Sequence, residues 1–115
     1  MKALDNPKVR AISQRVICAA KETLGDKLDK VYLYGSYARG DYDGESDIDF
    51  LILANVSQEE TCKQYNSINE KLGDIDLEYN LLVSCSVTAK SLFEQYINDL
   101  PFYANVAREG LILNG

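Results

Sequence analysis

Residues 35–53, GSYARGDYDGESDIDFLIL, join a glycine-serine turn, a run of five carboxylates and a hydrophobic strand. Asp47 and Asp49 are one residue apart on the strand. Strand side chains alternate between faces, so these two carboxylates share one face, roughly 7 Å apart along the chain. Ile48, Phe50 and Ile52 then point the other way, into a core. Two carboxylates held in parallel on a rigid strand suit a hard divalent cation such as Mg2+, which prefers oxygen ligands and keeps part of its water. The turn at Gly35 and Ser36 follows another apolar stretch, residues 31–34. Glycine lets the backbone come close to a ligand, and the start of a following helix offers free N–H groups to phosphate. A phosphate cradle beside a metal site outlines a nucleotide-handling protein.

The flanking sequence supplies a scaffold. Asn6 and Pro7 read as a cap and a first-turn proline for a helix over residues 6–24, with Val9, Ile12, Val16, Ile17 and Ala20 at helical spacing. Residues 28–34 (LDKVYLY) read as a strand, 36–39 as the start of a short helix ended at Gly40, and 41–46 (DYDGES) as a loop. Residues 47–54 form a second strand whose apolar half suits a central position, buried on both faces. Ser57 caps a helix with acids in its first turn. Tyr65, Ile68, Leu72 and Ile75 carry that helix to about Leu77, across a weak point at Gly73, and read as core. A third strand is expected over 81–87, with Leu81, Val83, Cys85 and Val87 on one face. Helices follow over 88–97 and 102–109, the latter closed at Gly110, and an apolar tail at 111–113 docks on the body. The fold class is α/β (α+β): a small mixed sheet of about three strands packed by helices, in one domain spanning 1–115.

Composition removes several classes of chemistry. The chain has 115 residues, 46% hydrophobic and 26% charged, as a soluble globular protein has. It has no histidine, which excludes a histidine zinc site, a Ser-His or Cys-His pair and a histidine general base. Cys18, Cys62 and Cys85 are odd in number and widely spaced, as for reduced cytoplasmic thiols, with Cys18 and Cys85 read as core filler. No apolar run approaches the roughly 20 residues of a membrane span, and the N-terminal residues lack a signal-peptide core. Net charge is −6 with no basic stripe, so no long nucleic acid is expected as partner. A calcium loop beginning at Asp41 fails, because Ser46 and Ile52 stand where it needs glycine and glutamate. Asp41, Asp43 and Glu45 read as solvated loop acids, Tyr37 as a surface turn residue. So dense a set of acids predicts that Mg2+ stabilises the fold.

Gly35 and Ser36, ten intervening residues, then Asp47, Ile48 and Asp49 between two apolar strands resemble the DNA polymerase beta nucleotidyltransferase superfamily, and in length and layout its minimal nucleotidyltransferase branch. LPFYANVAREGLIL at 100–113 is similar to the usual end of these proteins, so the resemblance covers most of the chain. It implies a polymerase-beta-like fold. It implies that Gly35 and Ser36 hold a triphosphate, that Arg39 helps neutralise it, and that Asp47 and Asp49 are catalytic and ligate two Mg2+ ions. The implied reaction moves a nucleoside monophosphate, AMP from ATP, onto a hydroxyl of a partner protein, by in-line attack on the α-phosphate. A HEPN-type partner, to which such proteins are antitoxins, is implied by resemblance alone; nothing in the sequence excludes an oligomer.

The family also carries a third acid on the next strand. At the matching positions this chain has Asn80 and Leu82. A helix reaching Leu77 keeps Asp76 off the strand; a strand starting at Ile75 would bring Asp76 and Glu78 onto one face, where either could serve. A nucleophile without that base loses help typically worth about two to four powers of ten. The alternative reading is therefore a nucleotide- or partner-binding module with impaired catalysis.

Overall fold

The computed structural model describes residues 5–43 and 46–114. The first helix, α1 (Pro7–Leu24), begins where the sequence puts it: the Asn6 side-chain oxygen accepts from the N–H groups of Lys8 and Val9 at 2.9 and 3.4 Å, and Pro7 fills a first-turn position that needs no N–H. A 3-10 turn leads into β1 (Leu28–Tyr34), followed by the single turn of α2 (Ser36–Arg39) and then β2 (Ile48–Ala54). Next come α3 (Gln58–Leu72), α4 (Ile75–Tyr79), β3 (Val83–Ala89), α5 (Lys90–Tyr96), α6 (Pro101–Glu109) and β4 (Leu111–Ile112).

The sheet has the order β3-β2-β1-β4. Strand β2 runs antiparallel to β1 and parallel to β3, so the sheet is mixed. The parallel pair requires a crossover, which α3 and α4 supply. Alternation along β2 sorts its side chains between two cores. Ile48, Phe50 and Ile52 join Val9, Ile12 and Val16 of α1 and Ile68 and Leu72 of α3 on one face. Leu51 and Leu53 meet Tyr32, Phe93 and Val106 on the other, under α5 and α6. Fully burying each of the larger aliphatic or aromatic side chains is worth about 1.5–3 kcal/mol. The second core stops short of the N-terminal end of β2. Asp49 lies on that side of the sheet, beyond the cover of Leu51.

Several expectations are corrected. The helix expected to reach Leu77 is two helices, because Gly73 takes φ +59 at the end of α3 and the chain restarts at Ile75. The third strand begins at Val83 rather than 81, since Leu81 N–H is drawn back to the Asp76 carbonyl at 3.1 Å. Its inward face holds nonetheless: Cys85 and Val87 are buried, with Leu81 and Val83 packed against the same core. The apolar tail does more than dock. It forms β4, a short fourth strand beside the three expected, pairing Ile112 with Tyr32 and Leu111 with Leu33. Gly110 permits this: a β-carbon there would stand 2.4 Å from the Val106 carbonyl oxygen. Cys18 is exposed rather than core, while Cys85 is buried and its thiol pushed up to about 12. Tyr65, read as core, is 43% exposed.

Candidate active site

The site forms where β1 ends and β2 begins, on the sheet face that the second core leaves open. Antiparallel pairing sets Tyr34 opposite Asp49, and parallel pairing sets Asp49 opposite Ser84, so one row crosses three strands. Gly35 follows Tyr34 with φ 77° and ψ −154°, a backbone region essentially reserved for glycine. Glycine is required a second time by space, because a β-carbon on Gly35 would stand 2.8 Å from Asp49 Oδ2. The sharp turn and the carboxylate are thus in contact, although 14 positions separate them. Ser36 opens α2, and the first intrahelical bonds are those of Arg39 N–H to the Gly35 carbonyl and Gly40 N–H to the Ser36 carbonyl. The N–H groups of Ser36, Tyr37 and Ala38 come before them, where a helix has no internal acceptor to offer.

Asp49 is half-buried and Asp47 exposed, just before β2. Burial first, and the charge of Asp47 second, push the Asp49 carboxyl above the usual carboxylate range. Tyr34 beside it is pushed up by its own burial and then by the charge of Asp49, with the Ser86 hydroxyl opposing the rise. This donor set fits a hard cation. It comprises two neighbouring carboxylates, an oxygen-only chemistry, and a glycine bend with no side chain in the way. Asp47 and Asp49 are the residues that would hold it; what a bound Mg2+ would supply is polarisation of phosphate oxygens.

The other sequence candidates sit as follows. Arg39 is exposed and ion-paired with Asp41 at 3.2 Å and with Glu109 of α6 at 3.5 Å. Asp76 lies in α4, and its Oδ1 accepts from Val83 N–H at 2.9 Å, capping the start of β3. Glu78 turns to α1, where it pairs with Arg15 at 2.7 Å. Neither joins Asp47 and Asp49, and among the described residues no three metal-ligating side chains cluster. Ile48 donates to the Leu82 carbonyl at 3.0 Å, so Leu82, 55% exposed, stands next to Asp47 in the sheet. Asn80 ends α4 in the left-handed region at φ 51°, ahead of β3. Asp41 and Asp43 are exposed loop acids, Asp43 closing a turn with Ser46; Glu45 lies outside the described residues. Tyr37 corrects expectation. It is buried and stacks on Tyr42 with ring centroids 4.1 Å apart, so it anchors the acidic loop rather than facing solvent.

Sequence reasoning placed a helix over 102–109, where α6 lies, but did not bring it to the site. A cavity of about 200 Å³ opens between the Gly35 turn and this helix, with Tyr34, Arg39, Phe102, Asn105 and Glu109 on its walls. No motif marks Phe102, and its 48% exposure is seen only in the fold.

Comparison with known proteins identifies the family. Residues 17–112 match the model of the nucleotidyltransferase domain family. A candidate protein adenylyltransferase of Methanocaldococcus jannaschii is 42% identical over 80 residues, 70% of this chain and 79% of that protein. A second candidate protein adenylyltransferase from the same organism is 35% identical over 95 residues, 83% of this chain and 87% of that one. Among solved structures, a nucleotidyltransferase candidate from Sulfolobus solfataricus superposes with a TM-score of 0.61 at 19% identity, covering 97% of this chain and 86% of its own. A toxin-antitoxin structure solved with AMP-PNP has a TM-score of 0.51 at 19% identity, covering 90% and 73%, a likeness of fold. With the family model spanning most of its length and two relatives above 30% identity, the chain belongs to the nucleotidyltransferase domain family, in its minimal nucleotidyltransferase branch.

Proposed function

We propose that this nucleotidyltransferase moves AMP from ATP onto a hydroxyl of a partner protein, in the cytoplasm, with Mg2+ held by Asp47 and Asp49. The observation that carries the reading is the contact of the Gly35 bend with Asp49 Oδ2, with Asp47 two residues away and close enough to perturb it. In this reading the backbone of Gly35 and Ser36 takes the triphosphate, and Arg39 turns to it. Arg39 itself and Asp41 are exposed and Glu109 is partly so, and surface pairs are worth about 0–1 kcal/mol, so the turn costs little. The acceptor oxygen bonds to the α-phosphorus as the bond to pyrophosphate breaks, and its proton is lost to solvent or to an ionised carboxylate of the site. The names of the two Methanocaldococcus relatives support adenylyl transfer to protein. The family resemblance supports a HEPN-type partner, with this chain as its antitoxin.

The test incubates the chain with labelled ATP and Mg2+, with and without the product of the neighbouring gene. Label on the partner, dependent on Asp47 and Asp49, is the expected result. No label on any protein, from correctly folded chain, counts against transfer.

A second reading has its own observation. Leu82, not a carboxylate, stands beside Asp47, and Asp76 and Glu78 are engaged elsewhere. Two carboxylates suit one ion with substrate oxygens; the second ion implied by resemblance lacks a third acid among the described residues. The chain would then bind nucleotide or partner and turn over slowly.

A further inference from the structure

The cavity beside Gly35 is lined by none of Ser36, Asp47 and Asp49, yet it shares Gly35 and Arg39 with the candidate phosphate site. Its near wall is the Gly35 turn and Arg39; its far wall is one face of α6, where Phe102, Asn105 and Glu109 recur at helical spacing. Phe102 is 48% exposed and meets Tyr34 edge-on, ring centroids 5.4 Å apart at 84°. An aromatic ring fixed this way by a neighbour's edge is a ready stacking platform. Asn105 lies one turn further along. Its Oδ1 accepts from Arg108 at 2.7 Å in an exposed contact that water can replace.

We propose that this cavity is the nucleobase subsite, with Phe102 as the stacking surface and Asn105 reading the polar edge of adenine. The inference rests on the nucleotide reading above and adds to it the residues that select the base. Stacking of a base on an aromatic side chain does not depend on sequence, because every base has a π-face. Selection falls to Asn105. A carboxamide presents one acceptor and one donor side by side, which complements the N6 donor and N7 acceptor of adenine; guanine offers two acceptors there. Arg39 sits between the two halves of the site. It lines the cavity together with its partner Glu109, 3.5 Å away, and its turn toward phosphate leaves Glu109 on the cavity wall.

The experiment titrates the intact chain with ATP, GTP and inorganic triphosphate in Mg2+ by calorimetry. Wild type binds ATP more tightly than either of the others. Phe102→Ala weakens ATP by roughly five- to a hundredfold, toward the level of inorganic triphosphate, whose own binding is unchanged. Phe102→Trp keeps the platform and retains ATP binding, which separates stacking from folding. Asn105→Ala removes both donor and acceptor and reduces the preference for ATP over GTP. Equal loss of ATP and triphosphate in Phe102→Ala, or no loss of ATP, overturns the subsite. So does a wild type that binds ATP no better than triphosphate, which would assign the cavity to the acceptor side chain instead. If wild type binds none of the three, the nucleotide reading itself falls and the subsite falls with it.

Discussion

Asp49 packs its carboxylate against the bare α-carbon of Gly35: a β-carbon on the glycine would stand 2.8 Å from Oδ2. The contact joins the turn after β1 to the start of β2, and everything inferred about phosphate and metal depends on that closeness. Gly35→Ala therefore meets two penalties, a strained backbone and a clash with a charged group. We expect a loss of about 1–3 kcal/mol in urea unfolding from the backbone alone, with nucleotide binding lost beyond what unfolding explains. An alanine variant with wild-type stability and binding would show the contact to be dispensable.

Mg2+ is expected to raise the melting temperature of wild type, by the linkage of a ligand that binds only the folded state, and excess chelator to reverse it. Asp47→Asn and Asp49→Asn should each lose this shift. If the labelled transfer occurs, each should also lose it by about a hundredfold or more, since polarisation by the cation is worth several kcal/mol. A shift that survives in both variants would place the cation elsewhere.

Asp49 also predicts a pH effect in chelator. Its folded carboxyl is raised by burial and by Asp47, so the folded chain holds that proton more tightly than the unfolded chain. Metal-free stability should then be highest below the ordinary carboxylate value of about 3.9, as far as this group is concerned, and decline as pH climbs through the raised value. Asp49→Asn removes that decline. The variant should unfold at a higher temperature than wild type at neutral pH and lose its advantage in acid. The effect is small because Asp49 is only half-buried. A less stable Asp49→Asn at neutral pH would contradict the cause assigned here.

Asp76 separates a structural acid from a chemical one. Its carboxylate receives the Val83 N–H at the head of β3. Asp76→Ala strands that donor and should cost about 1–3 kcal/mol, whereas Asp76→Asn keeps an acceptor and should leave stability and transfer near wild type. Glu78→Gln, which only releases Arg15, should do the same. Loss of transfer with retained stability in Asp76→Asn would make it the third acid after all.

Leu82→Asp places a carboxylate beside Asp47 at a position already exposed, so the fold should tolerate it within about 0.5 kcal/mol. If the wild type lacks a base, this substitution should raise labelled transfer by about a hundredfold or more. Asn80→Asp should not, since residue 80 sits in the left-handed cap ahead of the strand rather than beside Asp47. The reverse order of effects would mean that the sheet register is misread.

Much of this was legible in residue order because the signals are local. The cap at Asn6, the glycine turn, the alternation of Asp47 and Asp49 against Ile48 and Phe50, and the inward face of Cys85 and Val87 each depend on neighbours a few positions away. Backbone sterics and strand alternation act at that range, so pattern alone carries them. Helix continuity at Gly73 was legible only as a weakness, since an isolated glycine costs about 1 kcal/mol in a helix interior and packing decides whether the helix survives it. The strand at Leu111 was seen only as an apolar tail, because two residues pair as a strand only when an edge is waiting.

What spacing could not reach is which distant groups meet. Asp76 and Glu78 look alike in sequence, yet one ties down β3 and the other turns to α1, because α4 holds them in different directions. Tyr37 reads as a turn residue until Tyr42 folds back onto it. Phe102 and Asn105 carry no motif, and come beside Gly35 only because α6 crosses the open end of β1. The residue types and the two-residue period determined a paired-carboxylate strand after a glycine turn; only chain packing decided what surrounds it, because burial and contact are properties of the folded whole.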